Sequence, residues 1–563
     1  MTLQTQSAPP PAHAEHFWYA SYPPAIPRTI DPDTYSSLPS MLLDACARHA
    51  PLPAFECLGT TMTYAEWERV SRAFAAYLVQ EAKFHPGDRI AIMLPNLLAY
   101  PVAFLGALRA GLTAVNVNPL YTPRELKEQL TDSGATAIVI MENFAHKLEQ
   151  VLGETQIRHV VVARLGDFMP PIKRAVFNFA NSYMRKAVPA WRFASFALLH
   201  AACSRAPGPH FVDAAPAPTS PALLQYTGGT TGVAKAAVLT HRNLVANTLQ
   251  CRAVIGPYLP EEQGSVLTPL PLYHIFSLTA NLLAFALMGG RSVLVPDPRD
   301  IKGLIRTIAR SRVATMTGVN TLFNALINNP DFAALDFSNL KFAVGGGAAV
   351  QSAVAERWRE ITGAELVEGY GLTEASPVVC INPVRHPRLG TVGLPVPSTE
   401  VAIRDDHGND LPVGDTGEIC VRGPQVMHGY WHRHDESKLV LSEDGWLHTG
   451  DIGAFDADGY LRILDRKKDM VNVSGFKVFP NEVEDVIAQH PGVLESAVIG
   501  VADPHTGQGV KLFVVKRDPA LTEEALTKFA RERLAAYKVP KVMVFVDSLP
   551  KSNVGKIIRK DLR

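Results

Sequence analysis

The sequence predicts an α/β protein with a large N-terminal domain and a small C-terminal domain of α+β type. Its 563 residues exceed what one hydrophobic core usually supports. Short β-branched runs alternate with longer helical patterns, such as 64–81, and this alternation is typical of mainly parallel sheets. The clearest strand-like runs are 89–94, 137–140, 160–163 and 292–295.

The domain boundary is predicted from turn chemistry. Turn residues cluster over 445–459 and lead into a short strand that we expect to stop at Asp465. A second alternation of helix and strand patterns follows, and it is long enough for a small domain. We therefore predict domains over residues 1–464 and 465–563.

Composition excludes several classes of protein. The 54 basic residues balance 54 acidic ones, so no global field attracts nucleic acid. The six cysteines show neither a C-x-x-C pair nor a metal-ligand rhythm, which favours reduced thiols in the cytoplasm. The first thirty residues lack the pattern of a signal peptide, and the apolar stretches are too short or too charged to span a bilayer. We expect a cytoplasmic protein.

The strongest chemical signal is an apolar strand that runs into a loop of glycines and hydroxyls, Leu223-Leu-Gln-Tyr-Thr-Gly-Gly-Thr-Thr-Gly-Val-Ala-Lys235. Glycines let backbone N–H groups approach a polyphosphate, while hydroxyls and an ammonium group add donors and charge. The spacing of Gly232 and Lys235 departs from the Walker A pattern. The alternative interpretation is a flexible turn. The predicted phosphate-binding residues are Thr227, Gly228, Gly229, Thr230, Thr231, Gly232 and Lys235.

Segment 226–235 resembles the phosphate-loop signature of the adenylate-forming superfamily, which includes acyl-CoA synthetases, luciferases and nonribosomal-peptide adenylation domains. The resemblance extends from about Phe17 to Arg563 and narrows to the bacterial long-chain fatty-acid–CoA ligases. Ala236 departs from the glycine that is frequent in relatives, but it leaves the donors of the loop in place. The narrowing lies between Pro119-Leu-Tyr-Thr-Pro-Arg124 and Gly318-Val-Asn-Thr-Leu-Phe323. Seven further signatures of the superfamily follow the loop in order: Pro271-Leu-Tyr-His-Ile-Phe276, Gly345-Gly-Gly-Ala348, Gly369-Tyr-Gly-Leu-Thr-Glu374, Trp446-Leu-His-Thr-Gly-Asp451, Asp465-Arg-Lys-Lys-Asp-Met470, Ser474-Gly-Phe476 and Pro550-Lys-Ser-Asn-Val-Gly-Lys556.

The resemblance implies both a fold and a reaction. The fold is a large adenylate-forming domain of α/β subdomains followed by a small mobile domain. The reaction uses ATP, Mg²⁺ and coenzyme A: a fatty acid and ATP give acyl-adenylate and pyrophosphate, and transfer to coenzyme A then gives acyl-CoA and AMP.

Several residues are predicted to hold the nucleotide and its metal ion. Glu374 offers the hard carboxylate oxygen that Mg²⁺ prefers, and Thr227 is a second candidate metal ligand. Thr373 would hold the phosphates beside them. The resemblance places Tyr370, Gly371, Gly346 and Gly347 around the adenine, and Asp451 and Arg466 at the ribose hydroxyls. An isolated Asp or Tyr-Gly would indicate only a solvated turn, but the ordered signatures favour binding.

The acyl group needs an apolar pocket, because each buried methylene contributes roughly 0.8 kcal/mol. Candidate lining residues are Phe276, Leu278, Val319 and Phe323. His274 lies between apolar neighbours, where a histidine with no further pattern is often a satisfied core residue. The resemblance places it near the substrate carboxylate, where it would orient the substrate rather than transfer a proton.

Lys556 is the candidate catalytic cation. Adenylation places negative charge on the α-phosphate, and an ammonium group positioned there lowers the barrier. Because Lys556 belongs to the small domain, that domain must close over the large one. The resemblance implies that it then rotates about the hinge Asp465. The rotation would bring Ser474, Gly475 and Phe476 to the site, where they would bind coenzyme A.

The segment 168–212 contains no acidic residue, while basic residues alternate with large apolar ones. Such a pattern predicts an amphipathic helix, within 168–200, that lies on an anionic surface at the inner face of the cell membrane. The alternatives are a partly buried helix with solvated basic ends or a subunit contact, as in a homodimer.

Other classes of function remain open. Within the family, a medium-chain or aryl acid–CoA ligase is the second choice. A peptide-synthetase adenylation module is disfavoured, because no carrier domain appears before Arg563. A noncatalytic fatty-acid binding or uptake protein would keep the apolar pocket, yet it would not need Lys556, Glu374 or Asp451.

Overall fold

The computed structural model describes residues 16–208, 210–227, 234–259, 264–552 and 555–563. The strands are β1 (Pro53–Cys57), β2 (Thr60–Thr63), β3 (Arg89–Met93), β4 (Thr113–Asn116), β5 (Ala137–Met141), β6 (His159–Ala163), β7 (Ala197–Leu198), β8 (Pro221–Thr227), β9 (Lys235–Thr240), β10 (Ser265–Thr268), β11 (Arg291–Leu294), β12 (Thr315–Gly318), β13 (Phe342–Gly346), β14 (Glu365–Gly371), β15 (Val378–Ile381), β16 (Leu394–Pro395), β17 (Glu400–Arg404), β18 (Gly417–Arg422), β19 (Leu447–Phe455), β20 (Leu461–Arg466), β21 (Val471–Val473), β22 (Phe476–Val478), β23 (Val493–Asp503), β24 (Gly507–Lys516) and β25 (Val542–Phe545).

The α-helices are α1 (Leu38–Arg48), α2 (Tyr64–Ala76), α3 (Ala99–Arg109), α4 (Pro123–Ser133), α5 (Ala145–Glu149), α6 (Pro171–Phe179), α7 (Leu199–Cys203), α8 (His241–Ile255), α9 (Ile275–Ser277), α10 (Ala284–Leu287), α11 (Ile301–Ser311), α12 (Asn320–Ile327), α13 (Pro330–Ala333), α14 (Ser352–Thr362), α15 (His434–Val440), α16 (Pro480–Ala488) and α17 (Glu523–Arg531). Several of these helices begin at a side chain that caps the first backbone N–H groups. Thr63 and Thr122 each accept a backbone N–H at the beginning of α2 and α4, and a glutamate three residues later bonds back.

Two mainly parallel sheets form the large domain. One has the order β7-β6-β5-β3-β4-β8-β9, and the other has the order β16-β15-β14-β13-β12-β10-β11-β1-β2. Several inner strands, such as β5 and β13, are buried along their whole length, because helices cover both faces of the sheets. The largest cluster of buried side chains takes residues from both sheets and from α1, α2, α3 and α8. These helices therefore lie between the two sheets.

A third sheet, β17-β18-β19-β20, is antiparallel and closes the large domain. The segment Phe17–Ser21 covers it, with the ring of Trp18 stacked 5.5 Å from that of Phe455. Strand β20 does not stop before Asp465 as expected but continues to Arg466, because Arg466 pairs with Asp451 on β19.

The small domain has its own core. Its sheet, β22-β21-β24-β23 with β25 beside β24, packs on α16 and α17, and its buried cluster begins at Val471. The predicted α/β class with a large and a small domain is confirmed. The predicted strand-like runs all form strands, and the predicted helix 64–81 is α2 extended by one wider turn, Tyr77–Glu81.

None of the helices in the described ranges combines the length and apolar character that crossing a bilayer requires.

Candidate active site

The predicted phosphate loop begins and ends on one hairpin. Strands β8 and β9 are antiparallel, and Thr227 lies opposite Lys235. The Thr227 hydroxyl donates to the Lys235 carbonyl at 3.4 Å. The predicted loop residues Gly228, Gly229, Thr230, Thr231 and Gly232 lie outside the described residues. The hairpin therefore holds the first hydroxyl and the terminal ammonium of the loop at the same end of one sheet.

Tyr430 connects this hairpin to Glu374. The Lys235 Nζ lies 5.5 Å from the centre of the Tyr430 ring, and the Tyr430 hydroxyl donates to Glu374 Oε1 at 2.7 Å. Burial and the neighbouring carboxylate raise the pKa of Tyr430, so its hydroxyl stays protonated and remains a donor. Tyr430 is not predictable from the sequence, because an isolated aromatic residue in a loop carries no motif of its own.

A magnesium ion fits Glu374 on chemical grounds. Mg²⁺ takes one or two carboxylates together with substrate phosphates and water, rather than a cage of protein ligands. The described part of the chain contains no group of three or more His, Cys, Asp or Glu side chains that could hold a metal ion. Among the same residues, Glu374 Oε1 has Tyr430 as its partner, whereas Oε2 has no hydrogen bond. The short helix Thr373–Ala375 contacts β8 and β9, the two strands that carry the ends of the predicted phosphate loop.

Asp451 joins the second and third sheets. It lies on β19 opposite Arg466, whose Nε is 3.3 Å from Asp451 Oδ1. The Tyr370 hydroxyl, at the end of β14, donates to Asp451 Oδ2 at 2.7 Å. Burial raises the pKa of Asp451, while the Arg466 guanidinium opposes that shift. The two predicted groups are thus adjacent: the ribose contacts are Asp451 and Arg466, and the adenine contacts are Tyr370 and Gly371.

Lys556 reaches this cluster from the small domain. Gly347 has φ +77°, and a Cβ placed on it would lie 2.8 Å from Lys556 Cε, so glycine leaves the space that the lysine occupies. The charges that act on Lys556 are those of Arg466 and Asp451. Burial, followed by Arg466, lowers the pKa of Lys556 to about 8, and Asp451 opposes this. The lysine therefore lies against Gly347, where the charges of Arg466 and Asp451 act on it, and it is still protonated at neutral pH.

His274 is held as a neutral imidazole. Its Nδ1 accepts the Phe276 backbone N–H at 3.3 Å at the start of α9, which assigns the ring hydrogen to Nε2. Burial, followed by the charge of Lys556, lowers the pKa of His274 to about 3. A neutral imidazole can donate one hydrogen bond but supplies no charge, which supports an orienting role rather than proton transfer.

The predicted acyl-pocket residues separate into two groups. Phe276 lies beside the site, since a Cβ on Gly346 would be 3.1 Å from its ring, and Val319 lies against Gly555. Leu278 and Phe323 are fully buried in the core. The Phe323 ring stands edge-on to Trp358 at 5.0 Å. Their role in an acyl pocket stays a prediction.

The predicted coenzyme A turn lies on the surface of the small domain. Ser474 and Gly475, with φ +52° and +89°, form the turn between β21 and β22. Phe476 is 57% exposed, and its ring stacks on Tyr537 at 4.8 Å. A Cβ on Gly475 would meet no described atom within 4 Å. With Lys556 in place, the turn therefore has open space around Gly475.

The predicted hinge residue, Asp465, lies at the end of β20 and bonds to residues of the small domain. Asp465 is 1% exposed, and its Oδ1 pairs with Arg559 at 3.0 Å. Its Oδ2 accepts the Asn481 backbone N–H at 2.8 Å, at the start of α16. Burial raises the pKa of Asp465, and Arg559 opposes the shift. These bonds link the last strand of the large domain to the first helix of the small one.

A large α/β domain followed by a small α+β domain is the fold of adenylate-forming enzymes, and the chain belongs to the family of AMP-binding enzymes. The model of that family matches residues 42–431, and the model of the AMP-binding enzyme C-terminal domain matches residues 482–556.

Among curated proteins, the chain is similar to a long-chain-fatty-acid–CoA ligase of Yersinia pestis, with 54% identity over 98% of both chains. A ligase of the same description from Escherichia coli is 53% identical over 97% of both chains. Among solved structures, the anthranilate CoA ligase AuaEII in complex with anthranoyl-AMP superimposes with a TM-score of 0.85. That structure is 26% identical and covers 95% of this chain and 98% of its own.

Proposed function

We propose that the chain is a long-chain-fatty-acid–CoA ligase that works in two half-reactions. A fatty acid and ATP form acyl-adenylate and pyrophosphate, and the acyl group then passes to coenzyme A with release of AMP. The observation that carries this proposal is the contact of Lys556, from the small domain, with Gly347 of the large one, where the charges of Arg466 and Asp451 act on it. Relatives of this length and similarity with that activity support it.

In the first half-reaction, Lys556 stabilises the negative charge that develops on the α-phosphate as the carboxylate oxygen attacks and pyrophosphate leaves. Asp451 and Arg466 hold the ribose, and Tyr370 fixes Asp451 through its hydroxyl. His274 donates a hydrogen bond that orients the carboxylate. Mg²⁺, when bound, neutralises phosphate charge that would repel the incoming carboxylate. Glu374 would hold it, and Thr227 and Thr373 would hold the phosphates.

In the second half-reaction, the small domain rotates about Asp465. Lys556 leaves the site, and the Ser474–Gly475–Phe476 turn takes its place. This proposal is supported by the turn's open surroundings and by the position of Asp465 between the domains. The thiol of coenzyme A then attacks the acyl carbon, and AMP leaves.

Pyrophosphate release with palmitate, oleate, benzoate or acetate, each with and without coenzyme A, tests the function. We expect turnover with palmitate and oleate that continues only when coenzyme A is present. Preference for benzoate would indicate an aryl acid–CoA ligase instead. Fatty-acid binding without any pyrophosphate release would indicate a noncatalytic binding protein.

We further propose that segment 168–200 attaches the enzyme to the inner face of the cell membrane. Helix α6 and the wider turn Ala180–Met184 that follows it expose an apolar stripe with three- and four-residue spacing. Its members are Ile172, Val176, Phe179, Tyr183 and Met184, which are 58% to 83% exposed. The stripe lies on the exposed face of a helix whose other face packs on the large domain, and such a face can lie on a membrane surface.

The charges beside the stripe favour an anionic surface. Arg185 and Lys186 are exposed at the end of the helix, and segment 168–212 has no acidic residue. Lys173 and Arg174 are turned inward, where Lys173 donates to the Leu58 carbonyl at 2.8 Å and Arg174 contacts His200. Arg185 and Lys186 therefore follow the stripe directly at its C-terminal end.

Reversing both charges, Arg185→Glu with Lys186→Glu, should weaken binding to anionic vesicles at least about tenfold, since each basic group contributes about 1 kcal/mol near such a surface. Sedimentation with vesicles at low and high salt measures this, and the difference should shrink at high salt. The matched control is Lys302→Glu with Arg306→Glu on the exposed face of α11. Unchanged vesicle binding, or dissociation of a homodimer in the variant, would favour the subunit contact.

A further inference from the structure

The small domain contacts the large domain at a surface formed by α12 and the start of α14, which we call the platform. Away from the hinge around Asp465, three hydrogen bonds between described residues cross from the large domain to the small one, and none of them involves a residue assigned a role above. Thr321 Oγ1 donates to the Gly555 carbonyl at 2.8 Å, and Asn324 Nδ2 donates to the Leu494 carbonyl at 2.8 Å. The Ser352 backbone N–H donates to Asp485 at 3.2 Å. The donors all lie on α12 and at the start of α14.

The platform is braced within the large domain. Asn320 Nδ2 donates to Gln351 Oε1 at 3.2 Å, and the Gln351 backbone N–H donates back to Asn320 Oδ1 at 3.0 Å. This reciprocal pair ties the first residue of α12 to the residue that precedes α14. Because both partners belong to the large domain, the bracing does not depend on where the small domain lies.

Thr321 contacts the residue immediately before Lys556. Gly555 has φ +83°, and a Cβ placed on it would lie 3.0 Å from Thr321 Oγ1 and 3.1 Å from Val319 Cγ2. The backbone of Gly555 is thus seated closely against the start of α12. From this position of the backbone, the side chain of Lys556 extends to Gly347.

We propose that Thr321 is a positioning residue for adenylation. Its hydroxyl holds the Gly555 carbonyl on the platform, and this fixes the point from which Lys556 reaches the α-phosphate. The inference rests on the proposed role of Lys556 and on the proposed rotation. Since Gly555 moves with the small domain, the hydrogen bond exists only in the adenylating arrangement, so Thr321 acts on the first half-reaction alone.

Thr321→Val keeps the shape of the side chain and removes the donor. We expect acyl-adenylate formation to slow about tenfold, since one hydrogen bond of ordinary strength is lost and the carbonyl is left without its partner. The loss should appear in the single-turnover rate rather than in the KM for ATP. Thioester formation from oleoyl-adenylate and coenzyme A should be unchanged, and Thr321→Ser should restore adenylation.

Thr307→Val is the matched control. Its hydroxyl also donates to a glycine carbonyl, that of Gly303 at 2.9 Å, but within α11 and away from the site. This variant should leave both half-reactions unchanged. Equal slowing by Thr307→Val and Thr321→Val would show a general loss of structure and would overturn the positioning role.

The double variant separates this inference from the proposed function. In a Lys556→Ala background, Thr321→Val should cause no further loss, because the threonine acts through the lysine. A further tenfold loss there, or unchanged adenylation in Thr321→Val by itself, would contradict the positioning role while leaving the function intact. If Lys556→Ala itself slowed both half-reactions in parallel, the proposed function of the lysine would be wrong instead.

Discussion

Lys556→Ala is expected to slow acyl-adenylate formation by at least about a hundredfold, the effect typical of removing one positioned transition-state donor. The lysine lies against Gly347 at the predicted nucleotide site, so its loss leaves the developing phosphate charge without this ammonium group. Thioester formation should be spared, because the lysine has then left the site. Single-turnover assays of adenylate formation, and of oleoyl-CoA formation from pre-made oleoyl-adenylate, measure the two steps separately.

The pH profile provides the control for this variant. The pKa of Lys556, lowered to about 8, means that the ammonium form is present below that pH and is lost above it. The kcat/KM for ATP in adenylation should therefore fall as pH rises through about 8, since this parameter reports the free enzyme. In Lys556→Arg the guanidinium stays charged, so the fall should move to higher pH. A profile unaffected by Lys556→Arg would argue against the charge of this residue as the catalytic feature.

Gly475→Leu is expected to give the opposite result, with thioester formation slowed by about a hundredfold and adenylation retained. A bulky side chain on the turn would displace the incoming thiol, and a misplacement of about 1 Å can cost this much. In the adenylating arrangement a Cβ on Gly475 meets no described atom within 4 Å, so the side chain has room there. The same pair of single-turnover assays measures the change.

Backbone strain needs its own control, since Gly475 has φ +89°. Gly87 has the same φ and equally open surroundings, far from the site in the sequence, so Gly87→Leu introduces the same strain elsewhere. Gly475→Ala adds strain at the turn with little bulk, and it should retain most thioester formation. If Lys556→Ala and Gly475→Leu each lost both steps together, a fixed two-domain site would replace the rotating one.

Much of the fold and of the chemistry was determined by the sequence itself. Buried parallel strands such as β5 are short continuous apolar runs, and α2 and α4 begin at threonines that accept backbone N–H groups. The ordered signatures indicated the family, which the comparisons confirm. They also named residues that the structure brings together from distant parts of the chain: Gly347, Asp451, Arg466 and Lys556. Motifs far apart in the sequence can identify neighbouring residues in this way, because the residues of these motifs bind the same ligand.

The tertiary structure alone decided the contacts that hold these motifs in place. Tyr430 bonds to Glu374 across 56 residues of sequence, and Thr321 bonds to Gly555 across 234. A hydroxyl that holds another residue by a hydrogen bond needs only the right position in space. Any segment of the chain can supply that position, so no local sequence pattern predicts it. The sequence likewise did not decide whether the apolar stripe on α6 is exposed. Periodicity predicts that a helix has an apolar face, but it does not say what covers that face.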